Sequence, residues 1–300
     1  MLTDEDIADR AALRSLFEKR RLNRATKEGF FHFEDQDFVV AQGRETFIAI
    51  AHDIAVALPL FLDGELDFHK FDKAMELLRE AGTGPIDTLW DVGANIGSIC
   101  IPALARGIVE RAVAFEPEER LFRLLRANAI LNGVDDRLSC VNTAIGEAAG
   151  RARLTMSDGN TGDYRLAGRQ FSDDCMGEGA RTSQEVSICA LDEFIDGFAP
   201  GSTLIYMDIQ GYEGLALKGA SELIAAAPPL VIEFWPYGMK RLESYEALCE
   251  SLFSAPYGRF ANLSEKEPSF QPFSKMTLDA LYEQLGEGAE QFTDLLLLPA

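Results

Sequence analysis

From residue 87 onward the chain alternates short apolar runs with helical stretches, and no other feature constrains its fold as tightly. "DTLWDV" (87–92), "RAVAFEP" (111–117) and "RLSCVNTAI" (137–145) read as strands, with helices expected at 95–107 and 118–132. "TLIYMDI" (203–209) and "PLVIEFW" (229–235) are further strands, with a helix between them at 212–226. The tail adds a helix at 242–253, a strand at 259–263, a helix at 277–286 and a last strand at 294–299. "RARLTMS" (151–157) and "EVSICAL" (185–191) are strand-like with looser connections. Apolar strands joined by helices predict a mostly parallel sheet covered on both faces. In such a sheet ligands bind beyond the carboxyl ends of the strands.

The earlier part of the chain has a different pattern. Residues 3–28 show helical periodicity, 30–40 read as two short strands around a polar turn, and 46–62 and 71–81 read as helices. "GTGP" at 82–85 breaks the chain. The expected organisation is a mainly helical extension over 1–85, capping the mouth of the site, and a sheet domain over 86–300.

The turn after the first strand reads "LWDVGANIGS" (89–98). A dinucleotide fingerprint would place glycine where Asp91 stands. Gly93 lets the backbone pass close to a ligand, Asn95 tolerates the left-handed conformation, and Gly97 lets a helix start close to the strand. A carboxylate beside open helix-end N–H groups is wrong for a pyrophosphate. It suits a ligand with a positive end, and S-adenosylmethionine carries both a sulfonium and an ammonium. Glu116, at the end of the next strand, can accept hydrogen bonds from both hydroxyls of a ribose. Nicotinamide cofactors are held in the same way, so Glu116 by itself leaves both ligands open.

Composition enters as exclusion. A formal net charge of −21 argues against a nucleic-acid partner, whose binding rests on Lys and Arg. The five cysteines include no C-x-x-C pair, which speaks against a disulfide framework or a zinc site. The apolar stretch 47–62 contains His52 and Asp53 and is short for a bilayer, so no membrane span is expected and the location is read as cytoplasmic.

Taken in order, "DVGANIG", "AFEPEERLFRLLRANAILNG", "LDEF", "YMDIQGYEGLALKGASELI" and "PPLVIEFWP" resemble the FkbM family of S-adenosylmethionine-dependent methyltransferases over about residues 87–236. The resemblance implies an α/β, Rossmann-like class I methyltransferase fold. That fold is a seven-stranded, mostly parallel sheet with helices on both faces and an antiparallel last hairpin. It implies that Asp91, Gly93, Asn95 and Gly97 shape the methionine pocket, that Glu116 holds the ribose, and that Asn142 to Ala144 border the adenine. It also implies O-methylation of a hydroxyl on a sugar, glycan or natural-product small molecule. Two positions depart from the pattern: Tyr206 stands for a lysine and Gln210 for a glutamate, leaving no carboxylate at 210.

A hydroxyl acceptor needs a base. The three histidines, His32, His52 and His69, all precede the sheet domain, so a carboxylate is expected to serve. Asp208 ends one strand as candidate base. Glu233 ends the next, as its neighbour or as a ligand for the acceptor hydroxyl. Glu213 reads as a helix-start acid. Trp235 and Tyr237 could stack on a sugar, and "SDGNTGD" (157–163) reads as a polar loop. No spaced third ligand accompanies Asp208 and Glu233, so no metal is expected. The competing readings are an NAD-linked oxidoreductase on the same kind of sheet and a catalytically silent S-adenosylmethionine-binding partner protein.

Overall fold

Strands in this protein form where alternate side chains can enter two separate cores. In a computed structural model that describes residues 37–168 and 175–299, Leu89, Leu204, Tyr206, Val231 and Leu296 point to one face of the central sheet. Their chain neighbours Trp90, Ile205, Met207, Ile232 and Leu297 point to the other. This period of two, with both faces buried, is what a sheet covered on both sides requires.

The described chain opens with a hairpin, β1 (Phe38–Gln42) and β2 (Thr46–Ile50), followed by helices α1 (Ala57–Asp63) and α2 (Phe68–Glu80). Then come β3 (Thr88–Val92), α3 (Cys100–Ala105), β4 (Arg111–Phe115), α4 (Glu119–Leu131) and β5 (Leu138–Val141). A smaller set of strands follows: β6 (Ala144–Ile145), β7 (Gly150–Ser157), β8 (Asn160–Leu166) and β9 (Thr182–Cys189). The chain re-enters the large sheet with β10 (Thr203–Met207), α5 (Glu213–Lys218), α6 (Ser221–Ile224), β11 (Leu230–Phe234), α7 (Pro236–Leu242) and α8 (Tyr245–Ser254). It finishes with β12 (Tyr257–Asn262), β13 (Gln271–Pro272), α9 (Lys275–Leu285) and β14 (Thr293–Pro299).

The large sheet has the order β13-β12-β14-β11-β10-β3-β4-β5. Strands β3, β4, β5, β10 and β11 run parallel, and β14 is inserted antiparallel between β11 and β12. The expected seven strands are thus present, and the two-residue β13 is an added edge. The chain moves from β3 through β4 to β5 in one direction, then returns to β10 on the other side of β3. The crevice of such a sheet opens where this order reverses, above the ends of β3 and β10. Among the described residues, no helix is long and apolar enough to cross a membrane.

Several local expectations are corrected. Residues 46–50 form a strand, not the start of a helix, because "TFIAI" buries Phe47 and Ala49 alternately. The expected helix at 95–107 shortens to α3, since Asn95 and Gly97 hold positive φ. The strand at 137–145 divides: Asn142 and Thr143 leave the large sheet, and β6 pairs with β9 in a second, four-stranded sheet of order β6-β9-β7-β8. The stretch 157–163, read as a polar loop, instead supplies the turn Asp158–Gly159 and the start of β8 (Asn160–Leu166), which closes a hairpin on β7. The helix at 212–226 divides in two, and the one expected at 242–253 starts only at Tyr245, separated by Glu243, which has φ 53°, from a further helix that ends at Leu242. Residues 3–28, and residues 30–36 of the stretch 30–40 read as two short strands, lie outside the described residues.

The segment before residue 85 is tied into the sheet domain. Two asparagines one turn apart on α4 act as a surrogate strand for β2. Asn128 accepts from the Ile48 N–H at 2.7 Å and donates to the Ile48 carbonyl at 3.1 Å. Asn132 does the same for Thr46 at 2.9 and 2.8 Å. An edge whose polar groups would otherwise lie unpaired is thereby satisfied. Arg106 reaches back to Glu45 through two hydrogen bonds, at 2.9 and 2.8 Å, and covers the ring of Phe68. Phe47, Phe68 and Phe71 belong to the same buried core as Leu89 and Ile96.

Candidate active site

Two cavities lie above the β3–β10 crevice. The first, about 570 Å³ with its open mouth included, is lined by Phe115, Glu116, Thr143, Ala144 and Tyr212 among others. The second, about 1120 Å³, is lined by Asp67, Lys70, Asn160, Glu233 and Trp235 among others. They share a wall made of Gly93, Asn95, Gly162, Asp208 and Gln210.

The turn between β3 and α3 builds that wall. Gly93 has φ 92°, and a Cβ on it would sit 1.9 Å from the Asp208 carbonyl oxygen, so only glycine lets β3 and β10 approach this closely. The N–H groups of Gly93 and Ala94 both donate to the Phe115 carbonyl, at 3.0 Å each. Asn95 takes φ 51° and donates through Nδ2 to the Thr161 carbonyl at 3.1 Å. Its Oδ1 is buried and has no hydrogen-bond partner. Thr161 is in turn held by Asp53, whose carboxylate accepts from both its N–H and its hydroxyl. The segment before α1, the β7–β8 hairpin and the β3 turn are therefore linked at one point.

Asp91 lines the second cavity and accepts from the Cys100 N–H at 3.1 Å, capping the start of α3. Burial pushes its carboxyl up to about 6. Gly97 lines neither cavity: it packs against Ile101 and Leu125, where a Cβ would stand 2.5 Å from Ile101. Glu116 lines the first cavity and accepts from the Asn95 N–H at 2.9 Å and the Glu118 N–H at 2.8 Å. Burial nonetheless raises it to about 8. Ala144 lines the same cavity, whereas the Asn142 amide turns away and donates to the carbonyls of Glu116 and Pro117 at 2.9 and 3.2 Å. Asn142 thus braces the loop that presents Glu116, and Thr143 takes the lining position.

Asp208 and Glu233 end adjacent strands and both face the second cavity. Gln210, held at φ 58°, joins them. Its Nε2 donates to Asp208 Oδ1 at 2.8 Å and to Glu233 Oε2 at 3.1 Å. An amide here brings two carboxylates together without adding a third charge. Burial, then the nearby Asp294, raise Asp208 to about 6, with Gln210 opposing. Burial, then Asp208 and Glu213, push Glu233 well above the ordinary range. Glu213 is fully buried, accepts from the Ile209 N–H at 2.9 Å and lies behind the cavities rather than on their walls.

Trp235 lines the second cavity, with its Nε1 donating to the Ala289 carbonyl and the Arg165 guanidinium 5.1 Å from its ring. Tyr237 accepts from Arg241 at 3.0 Å. Asp163 pairs with Arg165 and Arg181. His52 and His69 are exposed and line neither cavity, and His32 lies outside the described residues. Among the described residues, no group of three or more His, Cys, Asp or Glu is arranged to hold a metal ion.

The sequence reading missed Asp67, just before α2, Lys70 of α2, Thr161 and Arg165 of β8, and Asp294 of β14. Only the hairpin carried a local signal, the Asp158–Gly159 pair between two strand-like runs. Lys70 and Asp294 are ordinary residues by local pattern; the topology brings Lys70 to the second cavity and sets Asp294 against it.

Comparison with known proteins bears on residues 91–257, which match the methyltransferase FkbM domain. No curated protein matches. Among solved structures, a methyltransferase FkbM from Methylobacillus flagellatus KT aligns at TM-score 0.42 and 18% identity, covering 75% of this chain and 47% of that one. The chain thus spans about half the length of that relative. An O-methyltransferase from Bacillus cereus, solved with S-adenosylhomocysteine, aligns at TM-score 0.42 and 13% identity over 77% of this chain and 80% of that one.

Proposed function

The chain belongs to the methyltransferase FkbM domain family, and from that premise we propose that it methylates a hydroxyl group on a sugar, glycan or natural-product small molecule. S-adenosylmethionine is the expected cofactor. The residues present fit it: the unpartnered Asn95 Oδ1 can accept from an ammonium, and Glu116 faces the first cavity, where it can accept from a ribose diol. When bound, the cofactor supplies a methyl group on a sulfonium, an excellent leaving group.

The observation that carries this reading is the shared wall. Asp208 belongs to both cavities, so a carboxylate stands where a donor in one would meet an acceptor in the other. Asp208 accepts the acceptor's proton. Glu233, whose carboxyl burial pushes up, hydrogen-bonds the acceptor hydroxyl and orients it. Gln210 fixes the distance between the two. Donor and acceptor bound on the two sides of this wall would be held in line, which supplies much of the acceleration. Residues before 85 contribute Val56, Asp67 and Lys70 to the second cavity, and so form its acceptor-side wall.

The test is a mass-spectrometric screen of the purified protein with S-adenosylmethionine against neutral glycans and hydroxylated metabolites. A gain of one methyl on an oxygen, absent with Asp208→Asn, is the expected result. Methylation only of nitrogen or carbon acceptors would overturn the reading.

A further inference from the structure

S-adenosylmethionine and its demethylated product both end in a zwitterion, an ammonium and a carboxylate on one carbon. With the ammonium on Asn95 Oδ1 and the ribose on Glu116, the carboxylate still needs a partner. Glu116 and Asp208 already line the first cavity, so a further carboxylate placed there without a counter-charge would be costly. Donors on the cavity wall are committed elsewhere. The N–H groups of Gly93 and Ala94 donate to the Phe115 carbonyl, and that of Asn95 donates to Glu116. The Gln210 amide donates to Asp208 and Glu233, and the Thr161 hydroxyl to Asp53. Among the described residues lining the first cavity, one carries a positive charge: Arg165 of β8, buried at 5% exposure. Its guanidinium lies 3.4 Å from Asp163 Oδ1 and 5.1 Å from the centre of the Trp235 ring. Asp163 and Trp235 both line the second cavity. The guanidinium therefore sits where the first cavity abuts the second, on the side of the shared wall.

We propose that Arg165 binds the carboxylate of S-adenosylmethionine and so sets the amino-acid end of the cofactor beside Asn95, at the wall between the two cavities. The inference rests on the reading of the first cavity as the cofactor site. A guanidinium carries five N–H donors in a planar fork that matches a carboxylate, so Arg165 can keep Asp163 as a partner and still bind one. Held over the Trp235 ring, the fork is fixed before the ligand arrives, which lessens the freedom lost on binding. The same contacts give the competing role its form: an arginine that only braces Asp163 and Trp235 would support every ligand of the site alike.

The experiment is titration calorimetry of the full chain with three ligands: S-adenosylhomocysteine, its decarboxylated analogue, which keeps the ammonium, and methylthioadenosine, which lacks both charges. The wild type should bind S-adenosylhomocysteine about tenfold or more tighter than the decarboxylated analogue. Arg165→Met should lose most of that difference while binding the two truncated ligands as the wild type does. Arg165→Lys keeps the charge without the fork and should regain part of it. Equal wild-type affinities for S-adenosylhomocysteine and the decarboxylated analogue overturn the proposal, and that comparison needs no variant to fold. A difference that persists in Arg165→Met gives the carboxylate to another group and overturns it too. Equal losses for all three ligands in Arg165→Met leave Arg165 as a brace only, against the proposal. A wild type that binds none of the three overturns the cofactor reading itself, and the inference with it.

Discussion

The first cavity takes most of its lining from the turn after β3, the ends of β4 and β5 and the segment after β10, stretches that recur as motifs in the sequence. The second takes Val56, Asp67 and Lys70 from before the sheet domain, Asn160 and Asp163 from the β7–β8 hairpin, and Phe292 from the segment before β14. The first cavity also takes Leu154, Thr161, Gly162, Tyr164, Arg165 and Leu166 from β7 and β8; what sets the second apart is that it alone takes lining from before residue 85 and from the segment before β14. A site built in the first way keeps its ligand through changes elsewhere. A site built in the second way can change its acceptor without touching the cofactor, at the risk of losing the fold when its parts are removed.

The strongest attempt to separate the two sides is deletion of residues 1–82. The position of this segment before the sheet suggests a removable cap, but Phe47, Phe68 and Phe71 are buried in the same core as β3. Losing even one such phenylalanine costs about 3–5 kcal/mol, against a total stability of about 5–15 kcal/mol. The deletion should therefore abolish cooperative unfolding and cofactor binding together, as calorimetry would show. A truncated chain that still melts cooperatively and binds S-adenosylhomocysteine would restore the picture of an independent cap.

Glu116→Ala confines the damage to the first cavity. Removing two hydrogen bonds to the ribose should weaken S-adenosylmethionine and S-adenosylhomocysteine alike by about tenfold, read by titration calorimetry. Loss of one ligand only would show that Glu116 does not hold the ribose they share.

A smaller effect is expected from Gln210→Glu, at the shared wall. In the wild type, Asp91 and Asp208 lie near 6 and Glu116 and Glu213 near 8. These values exceed the ordinary carboxylate range, so between that range and about 8 the folded chain holds more protons than the unfolded one. Stability is therefore greatest at low pH within this window and falls as pH rises through about 6 and then about 8. Gln210→Glu adds a third acid between Asp208 and Glu233 and should steepen the fall, lowering the melting temperature by at least about 2 °C near pH 8 and less near pH 5.5. A melting temperature independent of pH in both proteins would mean that these acids are better solvated than their burial implies.

Much of the fold was legible because its strands are continuous apolar runs bounded by Gly, Pro and Asn. Asp91, Gly93, Asn95 and Glu116 were legible because one turn places them together. Asn128 and Asn132 sit inside a recognisable motif, yet their work on β2 depends on a strand that the local apolar run disguised as helix. Asp294 and Lys70 could not be read, since an acid in a last strand and a lysine on an early helix acquire meaning only when β14 inserts beside β11. The second sheet was missed in part because β8 mixes Asn, Gly and Asp with its apolar residues.

The most direct test of the central claim, that the two cavities meet at Asp208, is the paired measurement of S-adenosylhomocysteine affinity and kcat in Asp208→Asn. The substitution is nearly isosteric and keeps an oxygen acceptor toward Gln210. Affinity should stay within about threefold of wild type while kcat with a hydroxyl acceptor falls by about a hundredfold or more. A near-normal kcat would show that Asp208 only braces the wall. A parallel loss of affinity and kcat would show that it serves the first cavity alone.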